Sequence, residues 1–336
     1  MIPPNLERAV YGVYATQALH LADRHGVFGA LARGPAGSAE LAGSLGLDPD
    51  TLDRLLLVLR SIDLVGTDAD GRYVLDEATR AHLDPRSPRY LGDFVSHLVG
   101  STAAQLPRLD EYLAKGKETV DAGRPEPFEV LYADDDSVST FVSAMWNLSY
   151  DVSTELVPPA GLRAASHLVD VGGAGGPFSV AALRALPELT ATVFDLPAVE
   201  PHLLRSREEH GLGDRLHFVG GDFFADPLPA GDAIAFGYIL SDWTDETCAL
   251  LLAKAYAACA PGGRVLVMER LFDDDHAGPP GTAFMNLSMH LETQGRHRTA
   301  GEYIALLTAA GFTGCEVHRS TRDKHLVVGR KPLVGP

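Results

Sequence analysis

Asp170 stands two residues ahead of a glycine-rich turn, Gly172-Gly173-Ala174-Gly175-Gly176, where the apolar run 167–171 gives way to the helical pattern 177–186. Glycines there let the backbone pass close to a ligand, and a helix start offers free N–H groups. Such a turn is a weak signal alone, because dinucleotide enzymes use one as well. Spacing sharpens it: Asp195 closes the next apolar run, with Leu196 behind it, and Asp222-Phe223 closes the third. A carboxylate at the second position can accept both hydroxyls of a ribose. At the third, Asp222 can receive an adenine amino group while Phe223 covers the ring. No lysine or arginine stands in the loop to meet phosphates, so the pattern suits an adenosine without a pyrophosphate.

These residues need strand ends to hold them. From 159 to 336, β-branched apolar runs alternate with helical segments, the pattern of a parallel sheet covered on both faces, and the fold class expected is α/β, doubly wound and Rossmann-like. Residues 1–85 read instead as short helices closed by a hairpin, an all-α winged-helix module. Ser38 and Asp48 can cap two of its helices, Gly46 can end the first of these, and Leu52, Leu55, Leu56 and Leu59 recur at helical spacing. Between the two lies a helical linking segment, 86–158, in which Phe141, Met145 and Trp146 share a face that either packs on the next domain or covers a pocket.

A winged helix can read DNA, so a ligand-sensing regulator is an alternative of another class. The would-be recognition helix offers Asp50, Asp53, Arg54 and Arg60 without the basic and amide cluster that base and phosphate contacts require. The chain has 336 residues, 46% hydrophobic, with no apolar run near the roughly eighteen residues of a membrane span. Its 45 acidic and 28 basic side chains give a formal charge of −17, which repels phosphate backbones and anionic headgroups. Neither nucleic acid nor a membrane is expected as a partner. Cys248, Cys259 and Cys315 have no metal-ribbon spacing and the first residues lack a signal pattern, so a cytoplasmic location is expected.

In chain order, VDVGGAGG, VFDLP, GDFF, YILSDWTDE, APGGRVLVME and GRHRTAGEYIALLTAAGF resemble the S-adenosylmethionine-dependent O-methyltransferases of the plant caffeate type and their actinobacterial relatives in natural-product pathways. The resemblance covers nearly the whole chain, since that family also carries an N-terminal winged-helix module used for dimerisation. It implies methyl transfer by a homodimer on a small-molecule substrate. It also implies that Asp170, Gly172, Gly173, Gly176, Asp195, Leu196, Asp222 and Phe223 hold S-adenosylmethionine.

The family pattern breaks where its base should stand. The segment YILSDWTDE has Ser241 where the family has the histidine that deprotonates a phenol, and a serine hydroxyl is no base at neutral pH without an activating partner. His297, in GRHRT, replaces a glutamate that orients that histidine, while Glu269 matches the other orienting acid. Glu292 falls where the family's pocket is usually neutral. Asp242, Glu292 and His297 together form a ligand set suited to divalent zinc or iron with open positions. Some relatives are metal-dependent C-methyltransferases of 2-oxo acids, and a metal holding such an acid would stabilise its enolate. C-methylation of a 2-oxo acid is therefore the favoured reaction. O-methylation of a hydroxylated aromatic natural product, with His297 as base, is the alternative. Met145, Trp146, Ser149, Phe284 and Met289 are expected to line a pocket for a modest apolar group.

Overall fold

A computed structural model describes residues 2–124, 132 and 134–333. The chain separates into two units, Met1–Gln105 and Leu106–Pro336, so the helical segment expected between two domains is divided between them. In the first unit, helices Pro4–Arg24, Val27–Leu31, Ser38–Leu45 and Pro49–Ser61 precede an antiparallel hairpin of β1 (Gly66–Thr67) and β2 (Tyr73–Val74), which Ala36 joins by a bridge to Tyr73. This is the winged-helix order. Leu52, Leu56 and Leu59 are buried along one face of Pro49–Ser61, and Leu55 packs against them half-buried. Asp48 caps that helix, its Oδ1 accepting the Thr51 N–H at 2.8 Å. Ser38 does not cap: it is already helical, Gly37 precedes the helix, and the Glu40 carboxylate accepts the Gly37 N–H at 3.4 Å. Gly46 ends the helix with φ +67°.

The second unit contains helix Asp135–Ala160, started by Asp134, which accepts the Ser137 N–H at 2.9 Å, and stopped at Gly161 with φ +66°. Pro158 and Pro159 lie in its last turn. Seven strands and three more helices of the sheet layers follow: β3 (His167–Val171), helix Pro177–Ala185, β4 (Thr190–Asp195), helix Glu200–Glu209, β5 (Leu216–Gly220), β6 (Gly231–Gly237), helix Asp245–Ala258, β7 (Cys259–Glu269), β8 (Leu271–Phe272) and β9 (Arg298–Thr299). Helix Ala300–Ala309, β10 (Thr313–His318) and β11 (His325–Arg330) close the unit. β8 and β9 form a small parallel pair of their own.

The main sheet has the order β10-β11-β7-β6-β3-β4-β5. Strands β3 to β7 run parallel, while β11 is antiparallel to β7 and β10 to β11. The doubly wound expectation holds for the parallel part, and the last two strands make the sheet mixed. Leu168, Val169, Val171, Ala233, Ile234, Ala235 and Phe236 are fully buried because helices cover both faces. The consequence for function is directional. All five parallel strands end at one edge of the sheet, and β11 begins there, His325 pairing with Glu269. No described helix is long and apolar enough to cross a membrane.

Replacing Asp48 by Ala removes a cap whose loss typically costs about 1 kcal/mol. The first unit should lose roughly that much in chemical denaturation followed by circular dichroism, with the second unit unaffected; an unchanged midpoint would count against the cap.

Candidate active site

At the carboxyl edge, β3 runs into the glycine-rich turn. Gly172 has φ +65°, and a Cβ there would lie 2.4 Å from Ile239 Cδ1, so glycine is required twice over. Ala174 follows at φ +48°, a region that non-glycine residues rarely occupy. The turn is held by Asp195 at the end of β4: its Oδ2 accepts the Ala174 N–H at 2.8 Å and its Oδ1 the Leu196 N–H at 2.7 Å. Burial nonetheless pushes its carboxyl up to about 6, against the lowering effect of those two donors. Asp170 is buried beneath the turn, accepting the Ser179 hydroxyl at 2.8 Å, and burial raises its pKa too. Asp222 accepts the Phe224 N–H at 2.8 Å, and Phe223 lies edge-on to Phe224, with ring centroids 4.6 Å apart.

A cavity of about 690 Å³ opens at this edge. Its walls include Asp170, Gly172, Gly173, Asp195, Leu196, Asp222 and Phe223. These offer what an adenosine-bearing ligand needs: backbone pared to glycine, and acids on successive strand ends. Gly176 turns the chain into helix Pro177–Ala185 with φ +75° and lies outside the lining.

The other end of the same cavity is lined by Tyr132, Phe141, Met145, Asp242, Trp243 and Gln294. Asp242 sits in a tight turn after β6, and the segment 293–299 packs directly on it. A Cβ on Gly295 would lie 2.1 Å from the Ser241 carbonyl oxygen, so only glycine permits the approach. Arg298 is fully buried and ties the turn down, donating to the carbonyls of Leu240 at 2.8 Å and Trp243 at 2.9 Å and to Asp245. Burial raises the pKa of Asp242 well above that of an ordinary carboxylate, and the charges of Glu269 and Glu292 raise it further.

The domain organisation points the same way as the site. An O-methyltransferase dimerisation domain matches residues 8–85, and an O-methyltransferase domain matches residues 108–313. The tetracenomycin polyketide synthesis 8-O-methyl transferase of Streptomyces glaucescens is 31% identical over 331 residues, covering 98% of this chain and 97% of its own. The 3-hydroxy-5-methyl-1-naphthoate 3-O-methyltransferase of Streptomyces sahachiroi is 32% identical over 321 residues, covering 95% and 91%. The structure of human N-acetylserotonin methyltransferase in complex with S-adenosylmethionine aligns with a TM-score of 0.88 at 28% identity, covering 97% and 96%. The chain belongs to the S-adenosylmethionine-dependent O-methyltransferase family. Its N-terminal unit accordingly matches the part these enzymes use to dimerise, and Leu6, Val10, Tyr11, Val13 and Tyr14 on its first helix are exposed.

Within this O-methyltransferase, the expected metal centre is not formed. Among the described residues no three His, Cys, Asp or Glu side chains are grouped so as to hold an ion. Asp242 and Glu292 lie near enough to repel each other, but His297 is buried outside the cavity lining, under the positive charges of Arg270 and Arg298. Those cations oppose a dication, and together with burial they push the imidazole down to about 4, so it is neutral at physiological pH. Among the described residues neither ring nitrogen has a hydrogen-bond partner; the His297 main-chain N–H donates to Asn286 Oδ1 at 2.8 Å. C-methylation through a metal-bound 2-oxo acid, the favoured expectation, thus finds support neither in the ligand geometry nor in these relatives. Ser241 is buried and presents its N–H to Glu269 Oε1 at 3.1 Å, and Glu269 is held high by burial and is drawn back by Lys324.

Of the residues expected to line the substrate pocket, Met145 and Ser149 do so. Trp146 turns elsewhere, stacking on Tyr150 at 4.9 Å and His210 at 5.4 Å, while Phe284 is 75% exposed and Met289 lies outside the lining. Met145 and Trp146 are adjacent on one helix, and the apolar pattern alone does not resolve which of them lines the cavity. Tyr132, Tyr238, Gln294 and Lys324 were missed. The signal for Lys324 was a lysine directly ahead of the apolar run 325–328.

Asp195→Asn keeps shape and removes the charge that would accept a ribose. Hydrogen bonds to charged groups contribute about 1.5–3 kcal/mol, so S-adenosylhomocysteine should bind roughly 10- to 100-fold more weakly by titration calorimetry. Unchanged affinity would remove Asp195 from the site.

Proposed function

We propose that this enzyme O-methylates a hydroxylated aromatic natural product, with Asp242 taking the hydroxyl proton. One observation carries the reading: Asp242 and the aromatic walls Tyr132, Phe141 and Trp243 share a single cavity with Asp170, Asp195 and Asp222. When bound, S-adenosylmethionine supplies an electrophilic methyl group on a sulfonium. In this reading Asp195 receives the ribose hydroxyls, Asp222 and Phe223 the adenine, and Gly172 and Gly173 make room beside them. The chain's remaining task is to make a hydroxyl oxygen nucleophilic. A phenol near pKa 10 gives its proton to a group of raised affinity more readily than to an exposed carboxylate. Asp242 has that raised affinity, and Tyr132, Phe141 and Trp243 line the cavity with it. The names of both Streptomyces relatives describe O-methylation, in tetracenomycin polyketide synthesis and of a hydroxylated naphthoate, which supports the same substrate class here.

The substrate class is tested with labelled S-adenosylmethionine and a panel of hydroxylated naphthoates, anthraquinone-type phenols and 2-oxo acids. Product carrying an O-methyl group is expected from the phenols. Turnover of a 2-oxo acid with none of any phenol would overturn the proposal.

Asp242→Asn should lower kcat by roughly 10²- to 10⁴-fold, the usual contribution of a positioned base, while S-adenosylhomocysteine affinity stays within about twofold. The sign of the pH dependence follows from its raised pKa: only the ionised carboxylate accepts a proton, so wild-type kcat rises with pH through that pKa and levels off above it. Wild-type turnover in Asp242→Asn together with loss of turnover in His297→Ala would move the base to His297.

A further inference from the structure

Apart from its through-space effect on Glu269, Lys324 has no role in the site described so far. It lies at the carboxyl edge of the sheet, one residue ahead of β11, only 2% exposed and yet part of the cavity wall. Its Nζ donates to Ser149 Oγ at 3.2 Å and stands 4.1 Å from the centre of the Tyr238 ring. Among the described residues Ser149 is its one hydrogen-bond partner; Asp170 and Glu269 act on it through space. An ammonium has three donors, so this one is buried with its set incomplete and the cavity beside it. The space is deliberate at one more position. A Cβ on Gly237 would lie 3.1 Å from Nζ, so a larger residue there would crowd the amine.

The sheet order says which part of a ligand reaches it. Asp195 and Asp222 stand at the ends of β4 and β5, on one side of the glycine-rich turn after β3. Lys324 stands on the opposite side, beyond β6 and β7. A ligand with its nucleoside on the first side extends its amino-acid tail across the turn toward the second. That tail ends in a carboxylate, the anion an incompletely bonded ammonium would favour. We propose that Lys324 is the cation that docks the α-carboxylate of S-adenosylmethionine, with Ser149 fixing the amine and Gly237 leaving it room. Tyr238, whose ring faces the same amine, holds its backbone at φ +58° to bring the ring there.

The inference rests on the cofactor placement proposed above, and the test separates the two. Titration calorimetry on the full chain uses S-adenosylhomocysteine and S-adenosyl-3-thiopropylamine, which lacks only the carboxylate. Wild type should prefer the carboxylate-bearing ligand by about tenfold or more, the scale of one charge-assisted hydrogen bond. Lys324→Met should lose about that factor for S-adenosylhomocysteine and bind the amine within about twofold of wild type, and Lys324→Arg should recover part of the loss. Equal weakening toward both ligands would show a scaffold role and overturn the inference, as would no change toward either. If Lys324→Met fails to fold, equal wild-type affinities for the two ligands would overturn it by themselves. Wild type that binds neither ligand would overturn the cofactor placement and, with it, the inference.

Discussion

Taking a carboxylate out of water costs several kcal/mol unless donors or cations replace the water, and the carboxyl edge of this sheet buries Asp170, Asp195 and Glu269 together. Each is met differently. Asp195 takes two main-chain N–H groups and so braces the glycine-rich turn. Asp170 takes the Ser179 hydroxyl from the helix that the turn begins. Glu269 takes the Ser241 N–H on one oxygen, and the ammonium of Lys324 lies near enough to lower its proton affinity. The loops that shape the cavity are therefore the loops that satisfy these acids. Binding geometry and charge compensation are the same set of contacts.

The opposite end depends on one arginine. Arg298 has no exposure, and its guanidinium spans two carbonyls of the turn that carries Asp242 while pairing with Asp245 at the start of the next helix. A planar donor fork can hold diverging carbonyls that an ammonium, as a point charge, would not orient. Gly295, three residues earlier, lets that segment reach the turn at all. The short motif GRHRT is thus a clamp, with glycine for approach and the second arginine for grip. His297 between them is buried and lies outside the cavity lining.

Much of this was legible in the order of residue types. Acids at the ends of apolar runs, glycines between strand and helix, and the continuous β-branched apolar runs all report backbone geometry, which local sequence determines. The winged-helix leucines and the Asp48 cap are local in the same sense. What misled was anything depending on where a side chain points across the fold. Glu292 and His297 are near one another in sequence and chemically matched with Asp242 as ligands, yet His297 lies under two arginines, one of them contributed from β7's end. Trp146 and Met145 are neighbours on one helix, and a rotation of about 100° per residue sends one into the cavity and the other onto Tyr150. Lys324 went unnoticed because its meaning comes from the antiparallel strand that returns it to the carboxyl edge.

The serine at position 241 poses a problem of proton affinity rather than of geometry. An imidazole brings a pKa near 6.5 with its own chemistry, whereas a carboxylate brings about 4 and is a poor acceptor for a phenolic proton in water. A carboxylate becomes competent only if its surroundings penalise its charge. The turn after β6 supplies that penalty twice over, by burying Asp242 and by setting Glu269 and Glu292 close enough to repel it. Glu269 does not take the role itself, since it does not reach the cavity lining. On the proposed reading, then, basicity that a histidine would hold as an intrinsic property is distributed here over three acids, of which only Asp242 meets the substrate.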